Sequence, residues 1–104
     1  LSITRRVIQC PRVTLWLIER GGEVIGSGGV EAFETSATLI AGCVHPEARR
    51  SGVHTAFLSH RLSAAAHAGA RYATVASLPG GPTERNALRV GFGVAYTQLW
   101  LRCA

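Results

Sequence analysis

Six consecutive residues, Arg49-Arg50-Ser51-Gly52-Val53-His54, gather more chemistry than any other stretch of this 104-residue chain. Two guanidiniums, a hydroxyl, a glycine and an imidazole stand between an apolar run, Ala37 to Val44, and an amphipathic segment that begins at Gly52. A buried strand feeding a basic, glycine-containing turn that opens directly into a helix is a way to build an anion site. The first backbone N–H groups of a helix have no intrahelical partner, and the peptide dipoles add a partial positive charge there. A phosphate group suits that position, and flanking arginines add charge-assisted hydrogen bonds. The plainer reading makes Arg49 and Arg50 solvated surface charges and Gly52 a simple helix-start glycine.

Other reactive side chains do not assemble in sequence. Cys10, Cys43 and Cys103 show no CxxC spacing and are odd in number, which fits reduced thiols better than a disulfide framework or a zinc site. Cys43 reads as a small buried strand residue rather than a nucleophile. His45, His54, His60 and His67 include no HxxxH pair, and the chain has no aspartate, the usual hard-metal ligand. No metal is expected. His45, beside Pro46 at a strand end, reads as a half-exposed loop residue, with proton shuttling as the alternative. Net charge is +5 and every basic residue other than histidine is arginine, which suits bidentate phosphate recognition. The arginines are spread along the chain rather than clustered with aromatics, so nucleic acid is not an expected partner.

The elements that must position the turn follow from length and periodicity. The length suits one domain over 1–104, and 47% hydrophobic residues with 16% charged ones argue for a packed globule. No apolar run is long enough to cross a bilayer, and no signal-peptide pattern opens the chain, so a cytoplasmic protein without membrane contact is expected. With no methionine, the chain reads as part of something longer. Residues 1–11 are indistinct, with Ser2-Ile3-Thr4 and Val7-Ile8 as a potential short strand. Val13 to Arg20 reads as a strand covered on both faces. Gly21-Gly22 supplies a two-residue hairpin turn into a strand from Glu23 to Phe33. Glu34-Thr35-Ser36 turns the chain into the strand Ala37 to Val44. A helix from about Gly52 to Ala68 places Leu58, Leu62, Ala65, Ala66 and Gly69 on one stripe with Phe57 at its edge. His60, Ser63 and His67 fall toward its polar side, and Gly69 ends it. Tyr72 to Ser77 is a further strand, expected to be buried. Thr83 caps a short helix through Val90, Gly91 stops it, and Phe92 to Leu101 forms a last strand. Trp16 and Trp100 read as core or sheet-face residues. The expected fold is α/β with a mixed, mainly antiparallel sheet and two crossover helices, in the order β-β-β-α-β-α-β.

In this frame the chain resembles the GNAT superfamily of acyl-CoA-dependent N-acetyltransferases. The family's central motif, a strand ending in V-x-P and then Q/R-x-x-G-x-G/A before a helix, is matched by Val44-His45-Pro46 and Arg49-Arg50-Ser51-Gly52-Val53-His54. Its second signature, an asparagine on a short helix before Gly-Phe and a closing strand, is matched by Asn86, then Gly91-Phe92, then Val94-Ala95-Tyr96. The resemblance runs in register from Thr14 to Leu101 and implies acetyl-CoA as co-substrate. The diphosphate would lie over the free N–H groups of Arg50, Ser51, Gly52, Val53, His54 and Thr55, flanked by Arg49. Pantetheine would pair along the strand at Cys43 and Val44, with Asn86 as a further contact and Phe92 packing nearby. The implied reaction is direct attack of a neutral amine on the thioester, whose carbonyl the N–H near Val44 would polarise. The resemblance also points to Glu31 and Glu34 as carboxylates that orient water or remove the amine proton, against the commoner reading as surface glutamates.

Three departures from the pattern are visible. His54 stands where the family prefers Gly or Ala, so its ring crowds the turn, swings away, or donates to phosphate if protonated. Ala87 replaces the tyrosine that many members place four residues before Gly-Phe as an acid for the leaving thiolate. The segment before Thr14 is too short for the family's first strand and two helices. A second domain or a homodimer contact is therefore expected to cover the sheet near Val13 to Ile18. The alternative function is a degenerate GNAT-fold structural or interaction module without turnover.

Overall fold

The computed structural model describes residues 2–6, 10–49 and 52–103. Five strands form one sheet in chain order: β1 (Ser2–Arg6), β2 (Val13–Arg20), β3 (Glu23–Ala32), β4 (Ser36–Val44) and β5 (Tyr72–Val75). The first four are antiparallel neighbours, and β5 joins β4 in parallel after a crossover through helix α1 (Val53–His67). Helix α2 (Pro82–Arg89) follows β5. The result is a mixed α/β fold with a mainly antiparallel sheet and two helices, as expected.

Local chemistry accounts for the joints. Gly21 and Gly22 take φ of 60° and 82°, the left-handed pair that a two-residue hairpin turn between right-twisted strands demands. Gly69, at φ 97°, ends α1, where Ala70 N–H returns to Ala65 C=O at 3.0 Å and closes the last turn. Pro82 occupies the first turn of α2, where its missing N–H costs nothing. Gly81, not Thr83, is the capping residue of that helix.

The core lies between α1 and one face of the sheet. Trp16, Ile18, Val30, Ala37 and Leu39 from the strands meet Val53, Phe57, Leu58 and Ala65 from the helix. Only that face of β2 is buried: Val13, Leu15 and Leu17 point the other way and stay half-exposed, so the expectation of cover on both faces fails for want of a second layer. The buried face of α1 is rotated from the expected stripe. Ala66 is exposed, while Arg61 is buried at 2% exposure. His60 is half-buried and meets the Trp16 ring edge-on with centroids 5.3 Å apart, rather than standing on the polar side.

Both ends differ from the expected order. Residues 2–6 do form an edge strand on β2, whereas Val7 and Ile8 lie outside the described residues. The expected final strand, Phe92 to Leu101, has no ladder partner among the described residues. Its pattern is strand-like, but a strand is stable only against another edge, and Trp100 is 87% exposed rather than in the core. Among the described residues no helix is long and apolar enough to cross a membrane.

Candidate functional site

Strand β4 has two different halves. Ala37 to Leu39 are paired on both sides, with β3 and with β5. Beyond Leu39 the ladder to β5 ends, while pairing with β3 continues to Val44. The second half of β4 therefore presents a main-chain edge where β4 and β5 part. At its end His45 N–H donates to Ile25 C=O on β3 at 2.6 Å. Val44, one residue out of step, turns its own polar groups the other way. Its carbonyl accepts Arg49 Nε at 3.1 Å.

From that edge the chain passes through a short 3₁₀ turn, Pro46–Ala48, which His45 caps by accepting the Glu47 N–H on Nδ1 at 3.3 Å. His45 is exposed and capping occupies it. Arg50 and Ser51 lie outside the described residues. Gly52 then adopts φ 79° as the cap of α1, a conformation that β-carbon sterics make costly for other residues. The first intrahelical bond runs from Ala56 N–H to Gly52 C=O at 3.0 Å. The N–H groups of Val53, His54 and Thr55 precede it and have no partner within the helix. Among the described residues no side chain caps them, and the first turn carries no acid. A β-carbon at Gly52 would meet nothing within 4 Å among those residues.

His54 and Asn86, which the sequence separates by 32 residues, are brought together. Asn86 Nδ2 lies 2.9 Å from His54 Nδ1, and Arg89 Nη1 donates to Asn86 Oδ1 at 3.4 Å. With its oxygen facing a cation, Asn86 presents its NH₂ to the imidazole, so Nδ1 accepts and the ring proton sits on Nε2. Partial burial, and secondarily the charge of Arg61, lower the His54 pKa from its ordinary value of 6.5. The ring is thus a neutral link from the start of α1 to α2.

Other expected residues are placed differently. Glu31 pairs across the ladder with Thr38, and Glu34 sits exposed in the turn before β4. From Thr38 to Val44 is about 20 Å of strand, so neither carboxylate joins the α1 turn. Cys43 is exposed rather than buried. Ala87 is buried and has no proton to give. A separate groove of about 520 Å³ lined by Arg5, Trp16, His60 and His67 shares no residue with the β4–β5 opening. Among the described residues no group of three His, Cys, Asp or Glu side chains could hold a metal. Sequence reading missed Arg61, although the signal was there: positions 53, 57, 61 and 65 repeat at four-residue spacing, and three of them are apolar.

A family model described as Acetyltransferase (GNAT) family matches residues 3–92, most of the chain. The chain belongs to that family. Its fold is shared by an aminoglycoside N-acetyltransferase, AAC(6')-Iy, solved in complex with CoA: the TM-score is 0.77 at 15% identity, over 92% of this chain and 79% of that one. A transcriptional regulator from Bacillus halodurans C-125 gives a TM-score of 0.78 at 18% identity, over 91% and 69%. A predicted acetyltransferase with acetyl-CoA from Clostridium acetobutylicum gives 0.71 at 15%, over 88% and 64%. At such identities the likeness establishes the fold. No curated protein matches the chain in sequence.

Proposed function

We propose that this chain is an acyl-CoA-binding domain that transfers an acetyl group from acetyl-CoA to an amine. The observation that carries this reading is one of continuity. The free edge of β4 from Ile40 to Val44 leads, through a short turn, to a helix start whose three first N–H groups have no partner among the described residues. An extended polyamide chain ending in a diphosphate matches that sequence of donors and acceptors. Val53, His54 and Thr55 N–H groups would take the diphosphate, with Arg50 and Ser51 in the same turn. Arg49, tied by Nε to Val44, keeps its remaining guanidinium N–H groups for phosphate. The main-chain edge at Cys43 and Val44 would pair with the pantetheine amides, and Asn86, reached through His54, would close the site from the α2 side. Acetyl-CoA would supply the acetyl group as an activated thioester. Val44 N–H would polarise the acyl carbonyl as a fixed donor. Given their distance along β4, Glu31 and Glu34 would act on the acceptor amine only through water.

The direct test is thiol release: acetyl-CoA and the chain with a panel of amines, followed by a thiol reagent. Amine-dependent release of CoA above the protein-free rate supports transfer. Saturable CoA binding without release by any amine supports the second reading, an acyl-CoA-binding or interaction module without turnover, which buried Ala87 in place of a hydroxyl favours.

The same reading makes the chain one domain that works against a second unit, a further domain or another copy. Its support is the half-exposed face of Val13, Leu15 and Leu17 and the exposed Val94, Tyr96, Leu99 and Trp100. Such area stabilises by about 25 cal/mol per Å² once covered. The free thiols Cys10, Cys43 and Cys103 suit a reducing cytoplasm. Sedimentation of the chain decides the point: self-association supports a homodimer contact, and a monodisperse monomer with full transfer activity removes the need for any partner.

A further inference from the structure

Arg61 is buried with no counter-ion among the described residues. It is the one buried charged residue among those described, and no carboxylate lies within ion-pair range of it. Its Nη1 donates to Ile40 C=O at 3.2 Å and to Gly29 C=O at 3.4 Å, while its Nε has no partner. The guanidinium carbon stands 4.7 Å from the centre of the Phe57 ring. Burial pulls its pKa down to about 10, which still leaves it charged at neutral pH. An arginine here is a poor choice for stability alone, since an apolar side chain of similar volume would avoid the desolvation cost.

What it holds is specific. Gly29 and Ile40 face one another across β3 and β4, and the register of that pair of strands shifts between Ser27 and Gly29. An irregularity of this kind leaves ladder groups unpaired. Arg61 donates to a carbonyl on each strand at that point and so ties the two together beside the irregularity. Space for it comes from two glycines: a β-carbon at Gly28 would come within 3.0 Å of Nη1, and one at Gly42 within 3.2 Å of Nη2. Ile40 is also where β4 parts from β5, the first residue of the free edge.

We propose that Arg61 is a positioning residue for acetyl transfer. Resting on the acetyl-CoA reading above, the inference is that the clamp on Gly29 and Ile40 fixes the backbone of Ile40 to Val44, so that its N–H groups meet the thioester carbonyl. The unbalanced cation beside that strand favours electron density gathering on the carbonyl oxygen. The phosphate turn is a separate matter: Arg61 lies seven residues from His54, about 10 Å along the helix.

The test uses infrared spectroscopy of acetyl-CoA labelled with ¹³C at the thioester carbonyl, bound to wild type, Arg61→Met and Arg61→Lys. In wild type the bound carbonyl band moves to lower frequency than in water. Arg61→Met still binds CoA, because the diphosphate turn lies apart from it, yet loses most of that band shift. Arg61→Lys, which retains a charge and donors, recovers part of it. A band in Arg61→Met that coincides with wild type overturns the proposal. Should Arg61→Met fail to fold, Arg61→Lys decides: an intermediate band supports the proposal and a wild-type band overturns it. Wild-type protein that binds no CoA sinks the functional reading itself, and this inference with it; wild type that binds with an unshifted band overturns only this one.

Discussion

The two helices begin in different ways. Helix α2 is partly closed at its start: its cap Gly81 makes no side-chain bond either, but Pro82 needs no donor partner, and Glu84 places in the first turn a carboxylate that also accepts the N–H of Gly80, just before the cap, at 3.1 Å. Helix α1 has none of these devices. Its cap is a left-handed glycine, its first turn lacks an acid, and the preceding turn carries arginines. A helix start left without internal satisfaction is either solvated or reserved for an external anion. The contrast within one small chain, where a proline and an acid stand in the first turn of α2 and neither stands in that of α1, favours the second.

Converting α1 to the α2 condition should break the contrast most strongly. Gly52→Glu sets a carboxylate and a side chain at the open turn, and its CoA affinity should fall by roughly 100-fold or more, about 2.7 kcal/mol. Gly52→Ala controls for strain: at φ 79° a β-carbon costs about 1–2 kcal/mol of stability, but with no added charge the affinity loss should stay below about tenfold. Calorimetric titration of both variants with CoA separates the two effects. Equal losses would mean that backbone strain, not an anion site, explains the glycine.

His54 offers a finer probe, since it links the open helix start to α2. With its ring held toward Asn86 rather than over the turn, His54→Ala should change CoA affinity by less than about threefold while lowering stability by about 1 kcal/mol for the lost hydrogen bond. Urea unfolding of the variant beside wild type measures the second quantity. A loss of affinity beyond tenfold would instead make the imidazole a direct phosphate ligand.

The same residue fixes a pH dependence. The groups that face it are Asn86 on α2, with Arg89 behind it, and the charge of Arg61 on its own helix. All favour the neutral ring, so the folded-state pKa lies below the unfolded value of 6.5. The unfolded chain therefore takes up its proton first. The contribution is present in full above pH 6.5 and is lost as pH falls through the folded-state value. Wild type should lose stability over that interval, and His54→Ala should lose less, as read by urea midpoints at stepwise pH. A steeper loss in the variant would reverse the sign of the argument.

The smallest effect belongs to the closed helix. Glu84→Gln weakens one favourable charge at the start of α2 and should cost about 0.5 kcal/mol of stability, read from thermal unfolding, with no change in CoA affinity. A drop in affinity would show that the two helix starts are not independent.

How far the sequence discloses this molecule follows from the range of its signals. The β2–β3 hairpin was legible because Gly21-Gly22 admits few alternatives, and α1 because a glycine bounds each end. The α1 turn was legible because its donors, glycine and arginines are contiguous. The His54–Asn86 bond was not, although both residues were singled out, since it depends on the packing of two helices that periodicity does not orient. Arg61 was hidden by its type: a charged residue at a core spacing reads as surface unless the two glycines that make room for it are known to lie opposite. The segment from Phe92 to Leu101 shows the converse limit, as a strand pattern states a capacity to pair and not the presence of a partner.

The most direct measurement is calorimetric titration of the wild-type chain with CoA, and separately with pantetheine, which lacks the diphosphate. An open α1 start joined to a free β4 edge predicts saturable one-to-one binding of CoA, with a dissociation constant between about 1 μM and 1 mM, the usual range of substrate affinities, and much weaker binding of pantetheine. No heat of binding with CoA at millimolar concentration, or equal affinity for the two compounds, would contradict the account.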